Sequence, residues 1–197
     1  MNRKYVLKRR AQRQQQTRRR IVEATVELHR TVGPAETTFS AVAALARVQR
    51  HTLYSHFPNQ EELFKACGAH FLAQNSPPNT SSWLEVLEPG ARLRHGLTDL
   101  YAYYEAHEDM ISRVLRDSEK LPVGAGFNRL QATAVEALAQ AWATMDNQSA
   151  LLPALQLATS FACWRTLAHN IGMTTQESVH LVAMMVECVA GGASSDG

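Results

Sequence analysis

The sequence contains no apolar segment long enough to cross a bilayer. One long stretch without a charged residue, 147–164, is interrupted by Asn, Gln, Ser, Thr and Pro, whereas a spanning helix needs roughly 20 predominantly apolar residues. The first residues are basic and lack the apolar centre of a signal peptide. These absences predict a cytoplasmic protein.

Cysteine is scarce, and motifs typical of enzymes are missing. Cys67, Cys163 and Cys188 are too far apart for a disulfide framework or a metal-ligand spacing, so we interpret them as buried, reduced thiols. The eight histidines form no H-E-x-x-H pattern, and neither G-x-S-x-G nor a Gly-rich phosphate loop occurs. We therefore expect no catalytic activity, no metal and no cofactor.

Strand-like patterns are absent as well, which predicts an all-α fold. Alternating runs of β-branched and aromatic residues do not occur, while Ala, Leu, Glu, Arg and Gln are abundant. The spacing of apolar residues and the caps, among them Thr38 and Asn59, predict four N-terminal helices and several longer ones after a Pro-rich linker, "NSPPNTSS" (75–82). The predicted helices are 17–31, 38–48, 49–55, 60–73, 83–87, 90–106, 108–119, 127–145, 149–170 and 174–190.

Acidic residues are missing from the first 20 positions, which carry nine Lys and Arg side chains. The other 177 residues hold 11 basic and 18 acidic side chains, a formal charge of −7. We expect residues 1–16 to form a disordered basic arm that adds mainly non-specific affinity for a polyanion. A solvated tail without a function is the alternative.

The segment 38–56 has the pattern of a helix-turn-helix, in which a second short helix enters the major groove of DNA. Arg50 can contact guanine through two hydrogen bonds, and Gln49 can cap the helix or reach a base edge. Thr52 offers a hydroxyl and a methyl group, while His51 and Ser55 share one outward face. These residues are the predicted base-reading set.

Other side chains are expected to hold the helix or bind phosphate. Leu53 and Phe57 point inward against Val42 and Ala46. Phosphate contacts are predicted for four residues around the motif: Thr38, Tyr54, His56 and Lys65. A three-helix unit that serves only for packing remains the alternative at this point.

The segment "TTFSAVAALARVQRHTLYSHFPNQEELF" resembles the DNA-binding half of the TetR family of prokaryotic transcriptional regulators. The resemblance rests on the "V-x-x-x-T-L-Y-x-H-F" and "P-N-x-E-E-L-F" patterns. Two positions depart from it: Arg47 stands where the family usually has Gly, and Gln60 where it usually has Lys. A left-handed turn at Arg47 would cost roughly 1 kcal/mol; alternatively, Arg47 adds a phosphate contact.

The resemblance implies an N-terminal helix-turn-helix domain (17–74), a helical ligand-binding and dimerisation domain (80–190) and a frayed tail (191–197). Aromatic and Met side chains suit a mostly apolar effector, although such residues usually belong to a core. Seven residues are the candidate pocket: Tyr101, Tyr104, His107, Met110, Phe127, Trp142 and Trp164.

The last two long helices are the expected dimer interface, unless their apolar faces only close the protomer's own core. The faces in question comprise Leu151, Leu155, Ala158, Ala162, Val182, Met185 and Val189.

The expected function is therefore a homodimeric regulator, in the first place a repressor, that binds a palindromic operator in double-stranded DNA under the control of a small effector. A ligand-independent DNA organiser or adaptor with the same module is the alternative. A basic membrane-binding helix is disfavoured because residues 3–20 offer few large apolar anchors.

Overall fold

The computed structural model describes residues 3–143 and 148–191, with side chains from Leu7 onward. Within these ranges the secondary structure is helical and contains no strand, which confirms the all-α prediction. None of the described helices is both long and apolar enough to cross a membrane. The α-helices in chain order are α1 (Arg3–Thr31), α2 (Phe39–Leu45), α3 (Arg50–His56), α4 (Gln60–Gln74), α5 (Thr80–Trp83), α6 (Pro89–Ala106), α7 (Glu108–Asp117), α8 (Ala125–Ala139), α9 (Gln148–Ala158), α10 (Phe161–Arg165) and α11 (Thr175–Gly191).

The chain divides into two compact units. The first contains the residues up to Ser76 together with 109–125, and the second contains 77–108 and the residues from Gly126 onward. The division at Ser76 falls inside the predicted linker. The sequence did not predict that 109–125, which includes nearly all of α7, belongs to the first unit. Of the predicted tail 191–197, Gly191 ends α11 and the rest lies outside the described residues.

The first unit has one apolar core shared by α1 to α4. Its buried members are Ile21, Val22, Ala24, Val42, Ala43, Ala46, Leu53, Phe57 and Leu63. Capping residues fix the helix starts, since the Thr38 side chain accepts the Ala41 N–H and the Asn59 side chain accepts the Glu62 N–H. Both caps were predicted. They set the directions in which α2 and α4 leave their turns.

The first helix is longer than predicted. It begins at Arg3 instead of Thr17, so the segment expected to be a disordered arm continues α1. The segment has no Gly or Pro and is rich in Arg, Gln and Ala, all of which favour helix. Its described side chains from Leu7 to Gln16 are all exposed. The helix therefore carries its charge on a regular scaffold.

The second unit is built on α6, which packs against α11 and α5. Gly96 allows close packing, because a Cβ there would lie 2.8 Å from Leu138 and 3.1 Å from Trp83. The indole of Trp83 is fully buried and donates to Asp99 at 2.8 Å. α5 ends at Trp83, whereas the sequence placed a helix at 83–87.

The predicted helix 149–170 is interrupted. α9 ends at Ala158, Ser160 caps α10 through the Cys163 N–H, and a π-helical turn follows over Thr166–Ile171. Gly172, at φ +81°, then ends the segment. The predicted helix 127–145 ends at Ala139 and is followed by a 3₁₀ turn, Gln140–Trp142; residues 144–147 lie outside the described ranges.

Candidate nucleic-acid interface

The turn between α2 and α3 adopts a left-handed C-cap. The Val48 N–H bonds to the Ala43 carbonyl, and the Arg47 N–H bonds to the Ala44 carbonyl. This pair of hydrogen bonds is the Schellman arrangement, which needs a left-handed residue at the Arg47 position. Arg47 has φ +54° and is the one non-glycine residue with positive φ in the described part of the chain. The turn thus keeps the backbone that glycine favours, with a strained Arg in its place.

The turn directs one face of α3 into the core and the other into solvent. Leu53 and Phe57 are fully buried, as predicted, while Val42 and Ala46 are buried on the facing helix. The predicted base-reading residues lie on the other side. Gln49, Arg50, His51 and Ser55 are exposed, and Thr52 is half-buried. The structure therefore leaves all five residues accessible to solvent at the surface of α3, here called the α3 surface.

The polar groups of this surface are only lightly engaged. Arg50 and Gln49 make no hydrogen bond or ion pair with other side chains in the described ranges. The Ser55 hydroxyl donates to the Thr52 carbonyl at 2.7 Å, and His51 Nε2 lies 3.3 Å from the Thr52 hydroxyl oxygen. The Arg50 guanidinium consequently keeps all its donors for an external acceptor.

Three of the four predicted phosphate contacts, and Arg47, are exposed as well. Thr38 is exposed, and its oxygen accepts the Ala41 N–H at 3.1 Å, which leaves its hydroxyl hydrogen available to donate. Tyr54 is 46% exposed, and its ring packs 5.0 Å from Phe39, so its body is fixed while its hydroxyl reaches solvent. Arg47 and Lys65 are also exposed.

The C-terminal end of α3 contacts a residue from α1. Arg18 Nη1 donates to the His56 carbonyl at 2.8 Å, and its guanidinium lies 4.0 Å from the centroid of the Phe57 ring. His56 is half-buried; burial and, second, the charge of Arg18 lower the pKa of its imidazole. The sequence counted Arg18 only as one of nine basic residues. Nothing in a single sequence indicates a contact across 38 positions.

A second set of contacts missed by sequence reasoning joins α7 to the turn after α1. The Asp117 carboxylate accepts the Ala35 N–H at 2.9 Å, and Arg116 donates to the Val32 carbonyl. Gly33, at φ +100°, makes room, because a Cβ there would lie 2.7 Å from Asp117 Oδ2. The hydrogen bond from Arg116 holds the pKa of Asp117 below its usual value, and the Ala35 N–H lowers it further.

His29 lies buried inside the first unit. Its Nδ1 is 3.4 Å from the Cys67 sulfur, its ring packs edge-on against Phe64, and its Nε2 has no hydrogen-bond partner among the described atoms. Burial lowers the pKa of His29 to about 4, although Asp117 opposes that shift. Burial also raises the pKa of Cys67 to about 12. Both groups are therefore neutral near pH 7.

The interpretation of the cysteines as buried thiols holds for Cys67 alone. Cys163 is half-buried and Cys188 is exposed on α11. All three are free. Among the described residues, no group of three or more His, Cys, Asp or Glu side chains is arranged to hold a metal ion.

The predicted effector residues do not form one group. Met110 is buried in α7 and belongs to the first unit, whereas the other six belong to the second. Trp142 is buried, Phe127 is half-buried, and His107 is half-buried with its ring 4.6 Å from Tyr103. The structure does bring Tyr101, Tyr104 and Trp164 together.

These three residues form an aromatic cluster with Phe161. The Tyr104 ring lies 6.0 Å from Trp164, 5.4 Å from Phe161 and 6.4 Å from Tyr101. The Tyr101 hydroxyl donates to the Ala158 carbonyl and the Tyr104 hydroxyl to the Thr159 carbonyl, at 2.8 and 2.7 Å. These carbonyls lie where α9 breaks, so the tyrosines satisfy acceptors that the helix leaves free. Burial raises the pKa of both phenols.

The fold and the exposed face of α3 define a helix-turn-helix protein with a second, helical domain. Residues 21–67 match the model of the bacterial regulatory proteins of the tetR family. No curated protein matches the chain significantly.

Solved structures with the same fold include a TetR-like transcriptional regulator from Rhodococcus sp. RHA1, with a TM-score of 0.59 and 17% identity over 91% of this chain and 97% of that one. A tetR-family transcriptional regulator from Streptomyces coelicolor has a TM-score of 0.61 and 14% identity over 91% and 84% of the two chains. A TetR transcription regulator from Haloarcula marismortui ATCC 43049 has a TM-score of 0.58 and 15% identity over 89% of this chain and 97% of that one. The tetR-family match thus covers the helix-turn-helix part of the chain, and the solved regulators share the fold of most of its length.

Proposed function

We propose that this protein is a cytoplasmic, homodimeric repressor that binds a palindromic operator and works by binding, not by catalysis. The observation that carries the proposal is the α3 surface, where Gln49, Arg50, His51 and Ser55 face solvent from a helix anchored by Leu53. A helix of this kind fits the major groove, and its first-turn residues reach base edges. Arg47, Thr38, Tyr54, His56 and Lys65 are the proposed phosphate contacts around it.

The exposed apolar side chains of α9 and α11 support a two-fold contact through these helices. Leu157 is 59% exposed, Met185 54% and Met184 50%. The faces suggested by the sequence need correction, because Leu151, Leu155, Ala158 and Val182 are buried in the unit's own core. Side chains that already fill a core cannot also pack against a second subunit. The proposed interface therefore centres on Leu152, Leu157, Met184 and Met185.

The experiment that tests operator binding is selection of bound duplexes from a random DNA library, followed by sequencing. We expect an enriched palindrome with half-sites about one helical turn apart, because a two-fold dimer presents two α3 helices to one face of DNA. A Met184→Glu/Met185→Glu variant should bind the selected duplex far more weakly while its α3 surface is unaltered. Recovery of no enriched motif at moderate salt would contradict the proposal.

Effector control is the second part of the proposal, and the aromatic cluster around Tyr104 is its proposed site. The rings offer a mostly apolar surface, and the tyrosine hydroxyls offer hydrogen bonds that an effector can take over from the Ala158 and Thr159 carbonyls. A screen of aromatic compounds by thermal shift should then find ligands that raise Tm and weaken operator binding. Tryptophan fluorescence should report their arrival beside Trp164.

A ligand-independent DNA organiser is the second candidate. It is favoured by the same hydrogen bonds, because tyrosines that satisfy internal carbonyls behave as core residues. This candidate predicts operator binding that no small molecule alters. It also predicts that substitutions of Trp164 change the stability of the protein and leave its dissociation from DNA unchanged.

A further inference from the structure

Arg18 of α1 contacts both the end of α3 and the core of the first unit. Its Nη1 donates to the His56 carbonyl at 2.8 Å, and its guanidinium lies over the Phe57 ring at 4.0 Å. Phe57 is fully buried, so the ring face that receives the guanidinium is fixed by the core. One turn further along α1, Ile21 is also fully buried. Arg18 thus joins two anchored parts of the first unit.

The contact with Arg18 gives α3 tertiary support at its C-terminal end. The helix is seven residues long, and Gln49 at its N-terminus provides no side-chain cap. Helices this short are unstable without tertiary support, and the last carbonyls of any helix have no partner within the helix. A cation that bonds one of these carbonyls also interacts favourably with the helix dipole. The stacking on Phe57 adds a cation–π contribution.

The neighbouring arginine behaves differently. Arg19 pairs with Glu23 on the surface at 2.7 Å, and its side chain is 73% exposed. A pair of this kind contributes little to stability, and its charge faces solvent. The two adjacent residues therefore offer a matched comparison: the guanidinium of Arg18 contacts α3, whereas that of Arg19 faces solvent.

We propose that Arg18 is a positioning residue that fixes the C-terminal end of α3, and that it governs base discrimination without contacting phosphate. The proposal rests on the proposed role of α3 in reading DNA. Its structural part, the hold of Arg18 on α3, is independent of DNA.

The first measurement is hydrogen exchange of the free protein. In Arg18→Gln, the amides of Leu53 to Phe57 should exchange about tenfold faster than in the wild type, while those of α11 stay unchanged. Arg18→Lys keeps the charge but loses the planar stacking, so it should fall between the two. The matched Arg19→Gln variant should leave α3 unchanged. Unaltered exchange in Arg18→Gln would overturn the proposal even if the protein binds no DNA.

The second measurement uses the duplex selected from the random library and a scrambled duplex of equal length. Arg18→Gln should reduce the ratio of the two affinities about tenfold, with the salt dependence unchanged, because no phosphate contact is lost. A merely structural residue would lower the fraction of active protein without changing this ratio. A flatter salt slope with an unchanged ratio would identify Arg18 as a phosphate contact and refute the proposal. If the wild type selects no motif, the proposed function fails, while hydrogen exchange still decides the role of Arg18.

Discussion

The exposed side of α3 in the first unit and the aromatic cluster of the second unit engage their polar side chains in opposite ways. In the first unit Arg50 faces solvent without an internal partner, and Tyr54 keeps its hydroxyl at the surface. In the second unit Tyr101 and Tyr104 are buried and donate to carbonyls of the chain itself. Groups left unpaired at a surface are suited to an external partner, whereas satisfied groups stabilise the fold. The presence or absence of an internal hydrogen-bond partner therefore distinguishes the α3 surface from the core more clearly than residue type does.

The largest expected effect comes from truncating Leu53, the buried residue that anchors α3. Leu53→Ala should lower the free energy of unfolding by about 2–5 kcal/mol, because the side chain is fully buried beneath α3 and its removal leaves a cavity. Urea denaturation measures the change. The neighbouring Tyr54→Ala variant is the control and should lose much less, since Tyr54 is half exposed. Equal losses for the two would show that the inward and outward faces of α3 are assigned incorrectly.

The next effect is a dependence of the free energy of unfolding on pH, which we attribute to His29 in the first unit. Its pKa is about 4 in the folded state against 6.5 for the free side chain. Between these values the unfolded chain binds more protons, so stability falls as pH drops from 6.5 to 4, by about 3 kcal/mol in total. Asp117 acts in a lower window: its folded pKa is depressed, so its contribution is complete above about pH 4 and is lost below it.

Denaturation of wild type and His29→Leu at several pH values isolates this effect. The stability difference between the two should change across pH 6.5 to 4 and be flat above pH 7. Phe64→Leu removes the ring packed on His29 but no titrating group, so it should keep the wild-type slope. A His29→Leu curve parallel to that of the wild type would contradict a neutral, buried His29.

Sequence reasoning succeeded where the signal is local. The caps at Thr38 and Asn59 and the inward positions of Leu53 and Phe57 follow from neighbours within one or two helical turns, and the structure contains them all. The contacts of Arg18 with His56 and of Asp117 with Ala35 span 38 and 82 positions. Such pairs depend on how helices pack, which one sequence does not encode in any spacing.

The predicted effector residues illustrate a second limit. Aromatic side chains at helical spacing suit a pocket and a core equally well, so Tyr104 and Trp142 could not be assigned from their type. The break after Ala158 was also missed, although it decides where the tyrosine hydroxyls bond. Ser160, which caps the next helix, was the available signal.

A smaller effect is expected for the outward face of α3. Arg50→Ala should leave the free energy of unfolding within about 0.5 kcal/mol of the wild type, because the guanidinium has no internal partner. Discrimination at one base position of the operator should fall by about 1–3 kcal/mol. Competition binding with operator variants measures the loss, and Lys65→Ala is the matched control that should weaken all sequences alike. Unchanged discrimination would remove Arg50 from the base-reading set.

The tyrosines of the second unit provide the reverse test. Tyr104→Phe keeps the ring but removes the donor to the Thr159 carbonyl, which should cost about 1 kcal/mol. Tyr54→Phe, on the exposed face of α3, should cost almost nothing in stability. Thermal denaturation distinguishes the two. Equal Tm values for both variants would mean that the Tyr104 hydroxyl has another use, such as effector binding.

The smallest expected effect concerns the turn that presents α3. Arg47 holds a left-handed backbone at φ +54°, which costs a residue with a Cβ about 1–2 kcal/mol. Arg47→Gly removes this strain but adds about 0.5–1 kcal/mol of entropy to the unfolded chain, so a net gain of about 0.5 kcal/mol is expected. Arg47→Ala keeps the strain and should not become more stable. If Arg47→Gly also weakens operator binding and flattens its salt dependence, the strained arginine is retained for a phosphate contact; a more stable variant with unchanged binding would show that the side chain has no part in binding DNA.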